Sequence, residues 1–308
     1  MTERTLAPRS KAALQQSLLA WYARGHRDLP WRRTRDPYAI LVSEVMLQQT
    51  QAERVAPKFT EFMALFPDFA ALAHAPAADV IRAWAPLGYN RRAVRLQRMA
   101  QRVAGEMDSR LPATAETLQE LDGVGGYTAA AVASFAFGEQ VAVVDVNVRR
   151  VVPRLLWGDG SPAPRDLGKA TGALLPEERA YDWNQAMMEL GAVVCLKRTP
   201  RCGDCPVRRH CRAAPLLAQG EMRSAEAKAG YKATPFKETR RYFRGRIVDA
   251  LRALPNGRSL TTAQVGAAVK PGYGPEDRQW LTGLLAALED EGLVRVKQAR
   301  GVTRVSLP

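Results

Sequence analysis

The sequence predicts a mainly α-helical chain with a cysteine-bearing loop and a small winged-helix-like module in its last seventy residues. Three observations carry that reading. Apolar residues recur at helical spacing through most of the first 215 residues, while β-branched alternation is scarce. All four cysteines fall between Cys195 and Cys211. Near Leu216 the composition turns polar and weakly periodic, and three further helical segments and a strand pair follow.

The elements follow in order. KAALQQSLLAWYARG (from Lys11) reads as a helix closed by Gly25, and YAILVSEVMLQQT as a second entered after Pro37. VAPKFTEFMALF is a third, stopped before Pro67, followed by AADVIRAWAPLG and RRAVRLQRMAQRVAGEM. LDGVGGYTAAAVA reads as the turn and second helix of a helix-hairpin-helix, because a tight glycine turn opens directly onto a run of small helix formers. VDVNVRRVVPRLLW and DWNQAMMELGAVVC close the first part. After the linker come ETRRYFRGRIVDALRAL, then LTTAQVGAAV with threonine caps, then PEDRQWLTGLLAALEDEGL with Pro and acids in its first turn. VRVKQARGVTRVSLP reads as two strands joined at a glycine turn.

The totals bound the function. A chain of 308 residues, 46% hydrophobic and 25% charged, is ordinary for a soluble protein of two or three domains. A formal charge of +14 points to a polyanion, above all nucleic acid, since phosphates attract Lys and Arg and release counterions. No apolar run approaches the roughly 18–20 residues that span a bilayer. MTERTLAPRS lacks the apolar segment of a signal peptide, so a cytoplasmic, nucleoid-associated location is expected. In that reducing compartment four clustered thiols argue for a metal rather than disulfides. Cys195, Cys202, Cys205 and Cys211 are spaced C-x6-C-x2-C-x5-C. Four thiolates suit a [4Fe–4S] cluster or a structural zinc; zinc sites usually carry two CxxC pairs, and here there is one. His210 reads as a surface residue. The basic residues around the loop, Arg201 and Arg208 among them, either meet phosphates or offset the charge of a cluster.

The glycine turn carries a second implication. The N–H groups at the start of the following helix, with its positive dipole end, make a phosphate seat near Gly123 and Gly125. It is not a P-loop, for no Gly-Lys-Ser/Thr follows. Two carboxylates stand out. Glu44 sits among Val42, Val45, Met46 and Leu47, surroundings that raise a carboxyl pKa and suit a general acid. Asp145 follows an apolar run, with Asn147 two residues on. The competing readings are a solvent-facing helix position for Glu44 and a helix cap for Asp145.

LPWR, SEVMLQQT, GLGYNRRA, LDGVGGYTA, VDVNVRRV, NQAMMELGA and the cysteine spacing occur together and in one order. Over about residues 15–215 the chain resembles the helix-hairpin-helix DNA glycosylases, and within them the MutY-type adenine glycosylases. The resemblance implies a two-domain fold. Residues 1–30 and 146–215 would carry a [4Fe–4S] cluster on the four cysteines, and 31–145 would form a six-helix domain with the hairpin. A linker at 216–236 and a winged-helix-like domain at 237–308 would follow. It implies a monomeric base-excision enzyme that hydrolyses the glycosidic bond of adenine opposite 8-oxoguanine or guanine in duplex DNA.

The roles that the resemblance implies are these. Glu44 matches the acid that protonates adenine N7, Asp145 the carboxylate that stabilises the sugar cation, and Asn147 the amide that positions the acids. Tyr127 stands where the bifunctional branch carries a lysine, which implies base removal without strand cleavage. Gln48, Gln49 and Tyr89 match positions beside the lesion, the latter two wedged into the base stack, and Thr50 matches a contact to the opposite base. Arg27, Trp31, Arg32 and Glu189 match positions that line the adenine pocket. Two features depart from the pattern. The last seventy residues do not read as the Nudix-like domain common in the family, and Asn90 stands where a second aromatic is common. The winged-helix-like module would either set its third helix, around Arg278–Glu289, against DNA or pack on the catalytic domain. A thymine or uracil mismatch glycosylase of the same fold, and a non-catalytic DNA-binding or redox-sensing protein, are the competing functions.

Overall fold

A computed structural model describes residues 6–158, 160, 162–220, 235–299 and 301–308. Fifteen α-helices and one three-stranded sheet lie among them. The helices are α1 (Pro8–Arg24), α2 (Pro37–Leu47), α3 (Ala52–Leu65), α4 (Phe69–His74), α5 (Ala77–Ala83), α6 (Arg91–Glu106), α7 (Ala115–Leu118) and α8 (Gly126–Phe137). They continue as α9 (Val148–Leu156), α10 (Pro164–Leu174), α11 (Ala180–Val193), α12 (Ala213–Ala218), α13 (Arg240–Arg252), α14 (Thr262–Val269) and α15 (Arg278–Asp290). The strands are β1 (Leu260–Thr261), β2 (Arg295–Ala299) and β3 (Val302–Ser306).

Local chemistry sets many of the boundaries. Asp68 caps α4 by accepting from the Ala71 N–H at 2.7 Å, and Thr114 and Thr239 do the same for α7 and α13. Thr261 and Gln264 form a reciprocal capping box on α14. Helix α2 ends at Leu47, earlier than its apolar pattern suggests, because Gln49 takes a left-handed backbone with φ +57°. Helices α4 and α10, which the periodicity left unread, are short or rich in Gly and Ala. Of the expected linker at 216–236, residues 221–234 lie outside the described residues, its opening, 216–218, is the last turn of α12, and its last residue, Phe236, begins a short 3-10 turn.

The chain forms two compact units, Met1–Ile40 with Pro112–Gly230 and Leu41–Leu111 with Tyr231–Pro308. They divide the sequence at different points from those its motifs suggest, and the hairpin helices α7 and α8 fall in the first unit with the cysteine loop.

The first unit is built on α1, α9 and α11. Leu14 and Leu18 of α1 pack with Val148, Val151, Val152 and Leu155 of α9 and with Trp183, Met187 and Leu190 of α11. A buried amide ties α8 and α11 to the 141–143 strand of chain: Asn184 accepts from the Val143 N–H and donates to Ser134 Oγ and Val141 O. In the second unit the last seventy residues share a core with α5 and α6. Ile81 and Val94 pack with Ile247, Val248, Leu251, Leu281, Leu284 and Leu293. Arg252 bolts the contact, donating to Ile81 O at 3.0 Å and to Asn90 Oδ1 at 2.7 Å. Asn90, the departure from the family pattern, thus serves the C-terminal module. The sheet has the order β1-β3-β2, all antiparallel, with Leu260 opposite Val305 and Ala299 opposite Val302. Among the described residues no helix is long and apolar enough to cross a membrane.

Candidate functional site

In the first unit the glycine turn opens onto α8 as its sequence suggests. Gly123 has φ +87°, which a β-carbon would make costly. Gly125, at the N-cap, has φ −83° and open space where a β-carbon would stand. Neither backbone nor packing demands glycine there; its absent side chain leaves the first N–H groups of α8 approachable. Tyr127 is the second residue of α8, half-buried.

Asp145 lies just ahead of α9. Its Oδ1 accepts the Val148 N–H at 2.7 Å, so it does cap that helix, and its Oδ2 accepts from Asn147 Nδ2 at 2.8 Å. Burial pushes the Asp145 carboxyl above the ordinary carboxylate range, with the Val148 and Asn147 hydrogen bonds opposing. Two residues that the motifs did not single out hold this pair. Arg150 donates through Nη2 to Asn147 Oδ1 (2.8 Å) and to Gly191 O (2.7 Å), and through Nε to Cys195 O (2.8 Å). A β-carbon on Gly191 would stand 2.4 Å from Asn147 Cβ, so only glycine lets α11 approach that closely. Val146, between the two acidic-site residues, is 74% exposed.

The pocket residues form one network. Glu189, on α11 and 1% exposed, accepts from Arg27 Nε at 2.9 Å, Arg27 Nη2 at 3.0 Å and Arg32 Nη2 at 2.8 Å. Arg32 also donates to Gln185 Oε1 and to Arg27 O. Burial raises the Glu189 pKa, but the hydrogen bonds from Arg27 and Arg32 outweigh it and leave the carboxyl below its ordinary range. The arginines are therefore not a solvated basic patch. Trp31 is buried beside them in sequence.

The four cysteines, each half-buried, line one small cavity with Arg154 and Arg208; His210 does not line it. Arg154 donates to Cys195 Sγ at 3.4 Å and to the carbonyls of Leu196 and Lys197. Burial and then the neighbouring thiols push Cys205 up to about 11 and raise Cys202 and Cys211. Among the described residues no three His, Cys, Asp or Glu side chains converge as they would on one metal ion. Four soft thiol donors around one cavity, with a guanidinium on one sulfur, are a donor set that could hold a metal centre.

The second unit holds Glu44 and the wedge candidates. Glu44 is 2% exposed on a helix buried from Tyr38 to Met46, which rules out a solvent-facing position. Gln48, Gln49 and Thr50 lie in the turn after α2, not on a helix face. Gln49 and Tyr89 both have positive φ, +57° and +46°, a conformation unfavourable for side chains of this size. One residue spans both loops. Buried Arg92 donates to the carbonyls of Val45 (2.9 Å), Met46 (2.8 Å) and Gln48 (2.5 Å), to Thr50 Oγ1 (3.1 Å) and to Gly88 O (3.1 Å). Burial lowers its pKa to about 10. A cationic side chain ringed by carbonyls has no signature in sequence, and this arginine lay hidden in GLGYNRRA.

Known proteins resemble this chain in sequence and fold. The model of the "HhH-GPD superfamily base excision DNA repair protein" family matches residues 42–177. The chain is 46% identical over 246 residues to an adenine DNA glycosylase of Mycobacterium tuberculosis, covering 77% of this chain and 78% of that one. It is 43% identical over 231 residues to the adenine DNA glycosylase of Homo sapiens, covering 71% of this chain and 42% of that one. Among solved structures, a thermostable thymine-DNA glycosylase superposes with TM-score 0.63 at 30% identity, over 67% of this chain and 97% of that one. A trapped endonuclease III–DNA covalent intermediate superposes with TM-score 0.61 at 21% identity, over 70% of this chain and 100% of that one, a likeness of fold.

Proposed function

This chain belongs to the adenine DNA glycosylases of the HhH-GPD base-excision repair superfamily, and from that premise we propose the course of its reaction. The substrate is duplex DNA in which adenine lies opposite 8-oxoguanine or guanine. Gln49 and Tyr89 enter the base stack beside the lesion with Gln48 next to them, Thr50 faces the opposite base, and the adenine turns out of the helix. Arg27, Trp31, Arg32 and Glu189 form its pocket. The N–H groups beyond Gly123 and Gly125 hold a backbone phosphate.

Glu44 gives its proton to adenine N7. The C1′–N9 bond then breaks with its electron pair leaving on the base, and the sugar becomes a cation. Asp145, ionised and oriented by Asn147, stabilises that cation, with Tyr127 beside it. Water adds at C1′ and returns a proton to Glu44, leaving free adenine and an abasic site. Tyr127 has no amine to attack C1′, so the strand stays intact. Cys195, Cys202, Cys205 and Cys211 would hold a [4Fe–4S] cluster, whose chemistry when bound is structural and one-electron redox rather than hydrolytic. The protein acts as a monomer in the cytoplasm on nucleoid DNA.

The observation that carries this reading is the Asp145–Asn147 pair, anchored by Arg150 and Gly191, in a chain whose hairpin helix bears tyrosine in place of lysine. The 30% identity to a thymine-DNA glycosylase keeps mismatched thymine as the second reading. A strand assay separates the two. Purified protein is incubated with A:8-oxoguanine, A:G, G:T and G:U duplexes, with and without alkali. Cleavage of the adenine strand only after alkali is the expected result; alkali-dependent cleavage confined to G:T or G:U would sink it.

A further inference from the structure

The reaction assigns nothing to the C-terminal module, yet the module forms one wall of a groove of about 640 Å³. The other wall comes from the turn after α2 and the Gly88–Arg92 segment, so Gln48, Gln49 and Tyr89 line the same space as α13. Seven arginines face it against two carboxylates. Both carboxylates are already engaged. Glu291 accepts from Arg244 and lies 3.9 Å from Arg91, and Asp249 accepts from Arg252 at 2.9 Å. Arg95, Arg241 and Arg246 have no carboxylate partner among the described residues. Arg241 instead lays its guanidinium 3.9 Å from the centroid of the Tyr89 ring, the wedge candidate with the strained backbone.

We propose that this groove seats the phosphate backbone of duplex DNA as it passes the wedge, and that Arg241 is a positioning residue for Tyr89. The proposal rests on the reading that the chain acts on duplex DNA. A guanidinium stacked on an aromatic ring still has its N–H fork free in the ring-parallel plane. Arg241 therefore steadies the ring on one side and meets a phosphate at its edge, while Arg95 and Arg246 extend the cationic track. An excess of uncompensated arginine along an open groove matches a polyanionic strand, which supplies repeated charges along its length. The module then works as part of the DNA-binding surface through α13 and not through the acid-ended α15.

The test uses the full-length protein and a duplex bearing a tetrahydrofuran abasic analogue opposite 8-oxoguanine, with 2-aminopurine beside it. Anisotropy gives affinity across 50–200 mM KCl, and 2-aminopurine fluorescence reports wedge insertion. Arg241→Ala and Arg246→Ala should each weaken binding by about tenfold at low salt and reduce the salt slope by about 0.9. Arg241→Lys should keep the slope, since its charge remains, but lose part of the fluorescence change because an ammonium has no planar face to stack. If Arg241→Ala melts early, Arg246→Ala, whose side chain among the described residues donates only to Ala268 O, carries the slope measurement. Parent-like affinity, slope and fluorescence in folded variants overturn the proposal. Adenine release by the parent with those parent-like variants rejects the groove alone. A steep, arginine-dependent slope without release of any base rejects the reaction alone.

Discussion

The Asp145 region and the wedge loops are held in opposite ways. Asp145 sits in an ordinary backbone, fixed by a relay of side-chain hydrogen bonds that runs through Asn147 and Arg150 to Gly191 and Cys195. Gln49 and Tyr89 sit in unfavourable backbone, fixed by a single buried cation that ties their loops through six oxygen acceptors. If Asp145 stabilises a cation as proposed, several weak constraints that each remove a little freedom suit it. If Gln49 and Tyr89 enter a base stack as proposed, a backbone already held in an unusual conformation suits them, and one strong clamp maintains it.

If the first arrangement serves chemistry, Asp145→Asn should produce the largest effect. Single-turnover adenine release should fall by about 10²–10³-fold while duplex affinity stays within a factor of about three. Loss of affinity with release unchanged would reverse the assignment. Gly191→Ala comes next, because its β-carbon would displace Asn147. A misplacement of about 1 Å costs about 100-fold in rate, and the single-turnover rate should move without the Kd. Arg92→Ala should act on the other region. Removing this buried cation leaves the carbonyls it ties unpaired, at about 1–3 kcal/mol of stability each, and affinity for the lesion duplex should fall more than the rate of the bound complex. Equal effects on both would mean that the two regions are not separately built.

The smallest effects concern pH. Burial raises the Asp145 pKa, and its ionised form is the useful one. The acid limb of the single-turnover rate should therefore lie above the ordinary carboxylate value, falling as pH drops through it. Glu189 has the opposite sign. Its lowered pKa means stability present above the unfolded carboxylate value and lost as pH falls through the folded one. Thermal melts between pH 7 and 3 should show an acid-side decline that is shallower in Glu189→Gln.

The same contrast explains what could be read in advance. Asp145 and the four cysteines stand out in the sequence because of their residue types and spacing, whereas Glu189 and the role of Asn147 are expected only from the family resemblance. Gly191 lies within NQAMMELGA, but its purpose depends on Asn147, more than forty residues earlier in the chain, and packing at that range leaves no local trace. Arg92 was hidden for the same reason, since its partners are carbonyls and every residue has one. The helices with strong apolar stripes were found, and α4 and α10 were not. Gln48 and Gln49 were attached to a helix because their residue types do not announce a left-handed turn. The C-terminal module was legible as three helices and a hairpin, but its attachment through Arg252 and Asn90 was not.

That attachment has a consequence for synthesis. Ile81 and Val94 are buried against helices that leave the ribosome more than 140 residues later. At about 5–20 residues per second, the nascent second unit carries these apolar side chains uncovered for on the order of ten seconds. The first unit, by contrast, completes its buried core once Val207 emerges, only about fifteen residues after α11. A slowly translated message should therefore expose the early half to chaperones well before it exposes the middle.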